Sequence, residues 1–173
     1  MSGLQKNLAY IFSPTRKGLL ISMLLGITLP AMLMTSANSA EPADLLRDFN
    51  QTQLIIDSSS RGCILFDIYI ANSQEQRSQG LMFIRSMDEY EGMLFIYPEP
   101  AEISMWMKNT LIPLDMLFFD HKLAITAIHE NAVPLSTDII SSRGVANGVI
   151  ELNGGSAEKF GISQGSQIIF PAS

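Results

Sequence analysis

QLIIDSSSRGCILFDIYIANSQEQRSQG, residues 53–80, holds two apolar, β-branched runs, Gln53–Asp57 and Cys63–Ala71, separated by Ser58-Ser-Ser-Arg-Gly62. Runs of that length on either side of a Ser/Gly turn predict a β-hairpin. The segment Ser73–Gly80 then opens on Ser, places Gln76 three residues later and closes on Gly. This is the chemistry of a capping box and a C-terminal glycine, so a short helix follows the hairpin. Cys63 alternates within the second run, which predicts a strand position and a buried, inert thiol.

The rest of the chain repeats the pattern of short strands. Gly92–Tyr97 and Glu102–Lys108 flank Pro98-Glu-Pro100 and predict two strands joined by a proline-set turn. Leu114–Asp120 and Leu123–Glu130 flank His121-Lys122 as a second hairpin, and Asn131–Ala146 is a polar loop. Val149–Leu152 is a short strand, Ser156–Phe160 a helical turn closed by Gly161, and Gln167–Phe170 a last strand. The fold class is therefore α+β and β-rich: a single compact domain of about seven short strands with one or two short helices, in a closed or half-closed barrel-like sheet. The domain spans residues 53–173, and residues 41–52 form a linker or short helix.

The 173 residues carry 11 Lys and Arg against 17 Asp and Glu, a net charge of −6, with a single Cys. No disulfide framework is available, and the acidic balance argues against a nucleic-acid partner, which needs a basic face. Residues 1–40 contain Lys6, Arg16 and Lys17 and no acid, then the apolar run Gly18–Met34, then the small polar stretch Thr35–Ala40. That order predicts a signal peptide cleaved near Ala40, or an uncleaved N-terminal anchor formed by residues 18–34. Export to the periplasm or the extracellular space is expected, with membrane attachment only through this segment. The remaining residues hold 8 Lys and Arg against 17 Asp and Glu, formally −9.

The densest chemistry lies in WMKNTLIPLD, Trp106–Asp115. Trp106 and Lys108 share a face if the strand persists. Pro113 donates no hydrogen bond, so residues 109–113 turn or run along an edge, taking Asn109 and Thr110 out of the sheet. A cation, an amide, a hydroxyl and a carboxylate thus lie beside an indole, a group suited to a polar ligand. The bland alternative makes Asn109 and Thr110 turn caps and pairs Lys108 with Asp115 or Glu151. His121 and His129 lack ligand spacing, so no metal is expected. Neither a nucleophile elbow, a phosphate loop nor a dinucleotide fingerprint is present, and no cofactor is expected.

The segments GLMFIRSMDEYEGMLF (Gly80–Phe95), WMKNTLIPLD (Trp106–Asp115) and VIELNGGSAEKFGISQG (Val149–Gly165), in that order, resemble the domain-of-unknown-function 192 family of exported bacterial and archaeal proteins. The resemblance covers about residues 53–170 and implies a compact β-rich domain behind a signal peptide or lipid anchor, without an established activity. The family pattern falls on Gly80, Leu81, Met82, Gly92, Met93, Leu94, Phe95, Trp106, Met107, Lys108, Asn109, Thr110, Pro113, Leu114, Asp115, Glu151 and Gly165. Where the family usually has an Arg two residues after Gly-Leu-Met, this chain has Ile84 followed by Arg85, a secondary candidate. The last turn departs as well, with Gly165-Ser166 in place of Gly-Asp.

Two functions fit these residues. The first is a non-catalytic accessory module of the envelope, binding a small polar ligand or an envelope protein through Trp106, Lys108, Asn109, Thr110, Asp115 and Glu151. The second is a small hydrolase with Asp115 or Glu151 as base and Lys108 stabilising negative charge.

Overall fold

The computed structural model describes residues 42–171, so the expected signal peptide or anchor in residues 1–40 lies outside the described residues. A helical turn, α1 (Pro42–Leu45), and two short helices, α2 (Gln74–Gln79) and α3 (Ser156–Phe160), accompany seven strands. These are β1 (Asn50–Asp57), β2 (Cys63–Ala71), β3 (Glu91–Met105), β4 (Leu114–Phe119), β5 (Ile125–Ala132), β6 (Ile140–Asn153) and β7 (Gln167–Ile169). They form one sheet in the order β5-β4-β6-β3-β2-β1-β7. The sheet curls into a half-barrel. An Ala124–Gln167 bridge and the Ile168 N–H bond to the Leu123 carbonyl, 2.8 Å, draw its two edges together at one end. None of the described helices is long and apolar enough to cross a membrane.

The β1–β2 hairpin and the capped α2 form where their local chemistry predicts. The Ser73 hydroxyl accepts from the Gln76 N–H, and the Gln76 side chain accepts from the Ser73 N–H, each at 3.1 Å. Beyond α2 the chain enters β3 parallel to β2, so α2 is a crossover on one face of the sheet.

Two expectations about strand limits need correction. The segment around Pro98-Glu-Pro100 is not a turn between two strands: β3 runs unbroken from Glu91 to Met105. Its ladder to β6 jumps from Ile96–Gly148 to Ala101–Ala146, so four residues of β3 lie opposite one of β6. Both prolines sit in that bulge, where no N–H is demanded, beyond the last β2 pairing at Phe95. The polar loop likewise ends early, because β6 begins at Ile140 and pairs Ser141 with Ser104. A long-range partner satisfies its backbone, which local polarity does not reveal.

Two apolar cores lie on opposite faces of the sheet. All seven strands contribute to the inner core, including Leu54, Phe66, Leu94, Leu117, Ile125, Ile150 and Ile168, and α3 closes it with Ala157 and Phe160. The outer core covers β3, β4 and β6 with Met93, Phe95, Met116, Phe118 and Val149 under Phe49, Leu81, Ile84 and Met107. Every residue of β4 is therefore buried.

Cys63 is exposed, contrary to the expectation of a buried thiol. Strand β2 turns Phe66 and Ile68 inward, and Cys63, Leu65 and Asp67 outward. Residues 63–66 are all apolar, so their alternation has no readable phase. Asp67 on the face of Cys63 sets it. A thiol reagent is expected to label Cys63 in the native protein at nearly the rate of the unfolded chain. Labelling that waits for denaturant would contradict this placement.

Candidate functional site

Glu151 lies near the C-terminal end of β6, opposite Met93 of β3 and Met116 of β4. Paired residues share a face, so its side chain enters the outer core between two thioethers. It is 4% exposed. Among the described residues no hydrogen bond reaches its carboxyl, and the ion pairs are Arg47–Asp48 and Lys159–Glu89. Among the described residues no fully sealed side-chain oxygen or nitrogen lacks a partner, so the Glu151 oxygens keep access to the space beside them. Burial pushes this carboxyl up to about 8, leaving it chiefly protonated at neutral pH.

The space is a pocket of about 430 Å³, its open mouth included, between the C-terminal end of α2, strand β3 and the turn that follows β3. Glu151 lies among Arg77, Tyr97, Ser104, Trp106, Lys108 and Thr110, with Leu81, Phe95 and Met105 as apolar wall. Helix α2 supplies Arg77, whose Nη1 donates to the carbonyls of Asn72 at 2.7 Å and Ile96 at 3.0 Å. The guanidinium stands 5.2 Å from the centre of the Tyr97 ring. Burial raises the Tyr97 phenol above its usual range, with Arg77 opposing and Glu151 adding to the shift. Tyr97 thus stands near both Arg77 and Glu151.

Past β3 the alternation continues, with Ser104, Trp106 and Lys108 facing out and Met105 and Met107 buried. Trp106 is 47% exposed, and the Lys108 ammonium lies 5.3 Å from the centre of its ring. Lys108 has no ion pair among the described residues, so the expected pairing with Asp115 or Glu151 does not occur. Thr110 is buried, and its N–H closes the turn on the Met107 carbonyl at 3.0 Å. Asn109 takes the left-handed conformation of that turn, φ 59°, which Asn tolerates, and its carbonyl accepts from Phe83 at 2.8 Å. It does not line the pocket.

Asp115 is fully buried on the other face, because β4 pairs it with Leu152 rather than Glu151. Its Oδ1 accepts from the N–H groups of Asn131 at 2.7 Å and Gly155 at 3.1 Å, and its Oδ2 from Ala157 at 2.8 Å. Gly155 has no side chain to cap α3, and the Asp115 carboxylate does so from a distant strand. The structure therefore brings Trp106, Lys108, Thr110 and Glu151 together and leaves Asn109 in the backbone turn and Asp115 on the opposite face. Arg85 is exposed outside the pocket, and the preceding Ile84 is buried in the outer core. Among the described residues, no cluster of three His, Cys, Asp or Glu could hold a metal ion.

Sequence reasoning missed Arg77, Tyr97 and Ser104. Arg77 reads locally as the last-turn cation of a short helix, a dipole partner. Only the parallel crossover carries it to the pocket.

Residues 55–170 match the model of the DUF192 family, described as an uncharacterised ACR. No curated protein matches the chain. A Sinorhizobium meliloti 1021 protein of solved structure, described as a candidate transcription regulator, is 39% identical, with TM-score 0.69 over 70% of this chain and 95% of its own. A protein of unknown function from Novosphingobium aromaticivorans DSM 12444 is 30% identical, with TM-score 0.67 over 69% of this chain and 85% of its own.

Asp115 and Lys108 are expected to differ in the stability lost on substitution. Asp115→Ala leaves the buried Ala157 N–H and the partly buried Asn131 and Gly155 N–H groups without their acceptor and lowers unfolding free energy by about 3 kcal/mol. Lys108→Met keeps the stem over Trp106 and costs less than about 1 kcal/mol. Urea titrations of both variants measure these differences.

Glu151 makes stability depend on pH. Its folded carboxyl binds a proton more tightly than the unfolded one, so its contribution is complete below the unfolded value of 4.5 and is lost as pH rises through about 8. Wild-type stability is expected to fall by up to about 1.4 kcal/mol per pH unit across that window. Glu151→Gln flattens this part of the profile, and an unchanged slope in the variant would refute the assignment.

Proposed function

This chain belongs to the uncharacterised DUF192 family, and from that premise we propose that it is a non-catalytic binding module that holds a small polar ligand in the pocket beside Trp106. One observation carries this reading. Glu151 is buried without a partner among the described residues, yet its oxygens open into the pocket. A carboxyl group this buried, with no protein partner, gains from a ligand that offers it a hydrogen bond. Trp106 supplies an apolar plate, and Lys108 and Arg77 fix orientation.

The hydrolase reading draws less support. Asp115 lies on the opposite face, and Glu151 keeps its proton at neutral pH, the wrong state for a base. The module is further proposed to work outside the cytoplasm, in the periplasm or beyond, as an accessory of the envelope. This rests on the basic, apolar and small-residue order of residues 1–40.

Trp106 is the only Trp in the chain, so its indole N–H gives one isolated resonance in the proton–nitrogen spectrum. A library of small polar metabolites is expected to contain a compound that shifts this resonance in the wild type and not in folded Lys108→Met, and that is recovered chemically unchanged. A ligand recovered cleaved would replace this reading with the enzyme. Binding that leaves the Trp106 signal unmoved would place the site elsewhere.

A further inference from the structure

The pocket's charges are separated in a way that specifies what fits between them. Its lining contains two cations, Arg77 and Lys108, and one acid, Glu151. Neither cation forms an ion pair with that acid, and burial alone accounts for the state of its carboxyl. Arg77 is fixed by two carbonyls and Lys108 rests over the indole, so neither swings in to neutralise Glu151. In a chain of net charge −6, this leaves two cations facing a carboxyl group that is itself uncharged at neutral pH.

We propose that the pocket binds a small organic monocarboxylate, whose carboxylate lies between the Glu151 carboxyl group and the Arg77 and Lys108 cations, and whose short apolar body rests against Trp106 and Met105. The inference rests on the pocket being the binding site argued above. A protonated Glu151 donates one hydrogen bond to an anion and accepts none of its charge. The cations supply the attraction, strengthened by partial burial. A denser anion fits less well. Arg77, Ser78 and Gln79 of α2 and its capping Gly80 line the pocket, and the negative end of a helix opposes an anion in proportion to its charge, a phosphate dianion more than a monocarboxylate. The apolar wall of Leu81, Phe95 and Met105 asks for a carbon body rather than a bare inorganic ion.

Binding is then linked to the Glu151 proton. The titratable and charged groups around it are Arg77 from α2, Tyr97 from β3 and Lys108 from the turn. On β4 its neighbour is the uncharged Met116, and beyond that strand His129 of β5 pairs with Met116. Once Glu151 ionises, two carboxylates face each other and affinity falls about tenfold per pH unit.

The test uses the Trp106 indole resonance of the purified protein with propionate, its neutral isostere propionamide, inorganic phosphate and glucose. Propionate is expected to bind at least tenfold more tightly than propionamide or phosphate at neutral pH, and to weaken as pH rises above Glu151's titration. Glu151→Gln, which retains a donor, is expected to keep propionate binding and lose that pH dependence, while Lys108→Met weakens binding at every pH. Propionamide or glucose binding as well as propionate would overturn the ligand class and leave the binding site standing. Tighter binding of phosphate, or no shift with any of the four probes, would also overturn it. A propionate shift that survives Lys108→Met unchanged would overturn both this inference and the assignment of the pocket.

Discussion

The antiparallel ladder between β3 and β6 supports both cores and the pocket. Each strand alternates, so Met93, Phe95 and Val149 face the outer core while Leu94, Ile150 and Leu152 face the inner one. Strand β4 pairs on the far side of β6 and is buried on both faces for the same reason. Two glycines let the ladder close this tightly: a Cβ on Gly92 would stand 2.5 Å from the Glu151 carbonyl, and one on Gly148 would stand 2.5 Å from the Phe95 carbonyl. Backbone atoms on both sides leave no flexible group to give way. The β3–β6 ladder sets Glu151 on one face and the β4–β6 ladder sets Asp115 on the other, a division that a slip of one residue in the latter would undo.

The ladder's irregularity matters as much as its regular part. Where β3 bulges at Pro98 and Pro100, it leaves β2 behind, and Tyr97 and Ser104 line a cavity on the outer face. Helix α2 ends at its edge, so Arg77 comes from one element and Lys108 from another. Glu151 reaches this cavity from β6, so the two cations and the acid that line it come from three separate parts of the chain.

Several features were legible along the chain because their causes are local. The capping box of Ser73 and Gln76, the hairpin around Ser58–Gly62 and the Gly161 end of α3 each depend on a few adjacent residues. Trp106, Lys108 and Thr110 line one pocket since they come from a single short stretch. The proline pair was misread because local preference favours a turn, while a bulge in a long ladder suits proline equally well. Cys63 was misplaced since an all-apolar run has no visible phase.

Short-range turn chemistry, alternation and motif are enough to give the β-rich class, most of the element positions and the family to which the chain belongs. The separation of Asp115 from Glu151 was decided only by tertiary structure, through the register of β4 against β6. Both are acids near the ends of apolar strands, and nothing adjacent to either tells one role from the other. Asp115 finds three backbone N–H groups and caps a helix, whereas Glu151 finds none and opens into a pocket. The partner that distinguishes them is supplied by strands and turns distant in the chain.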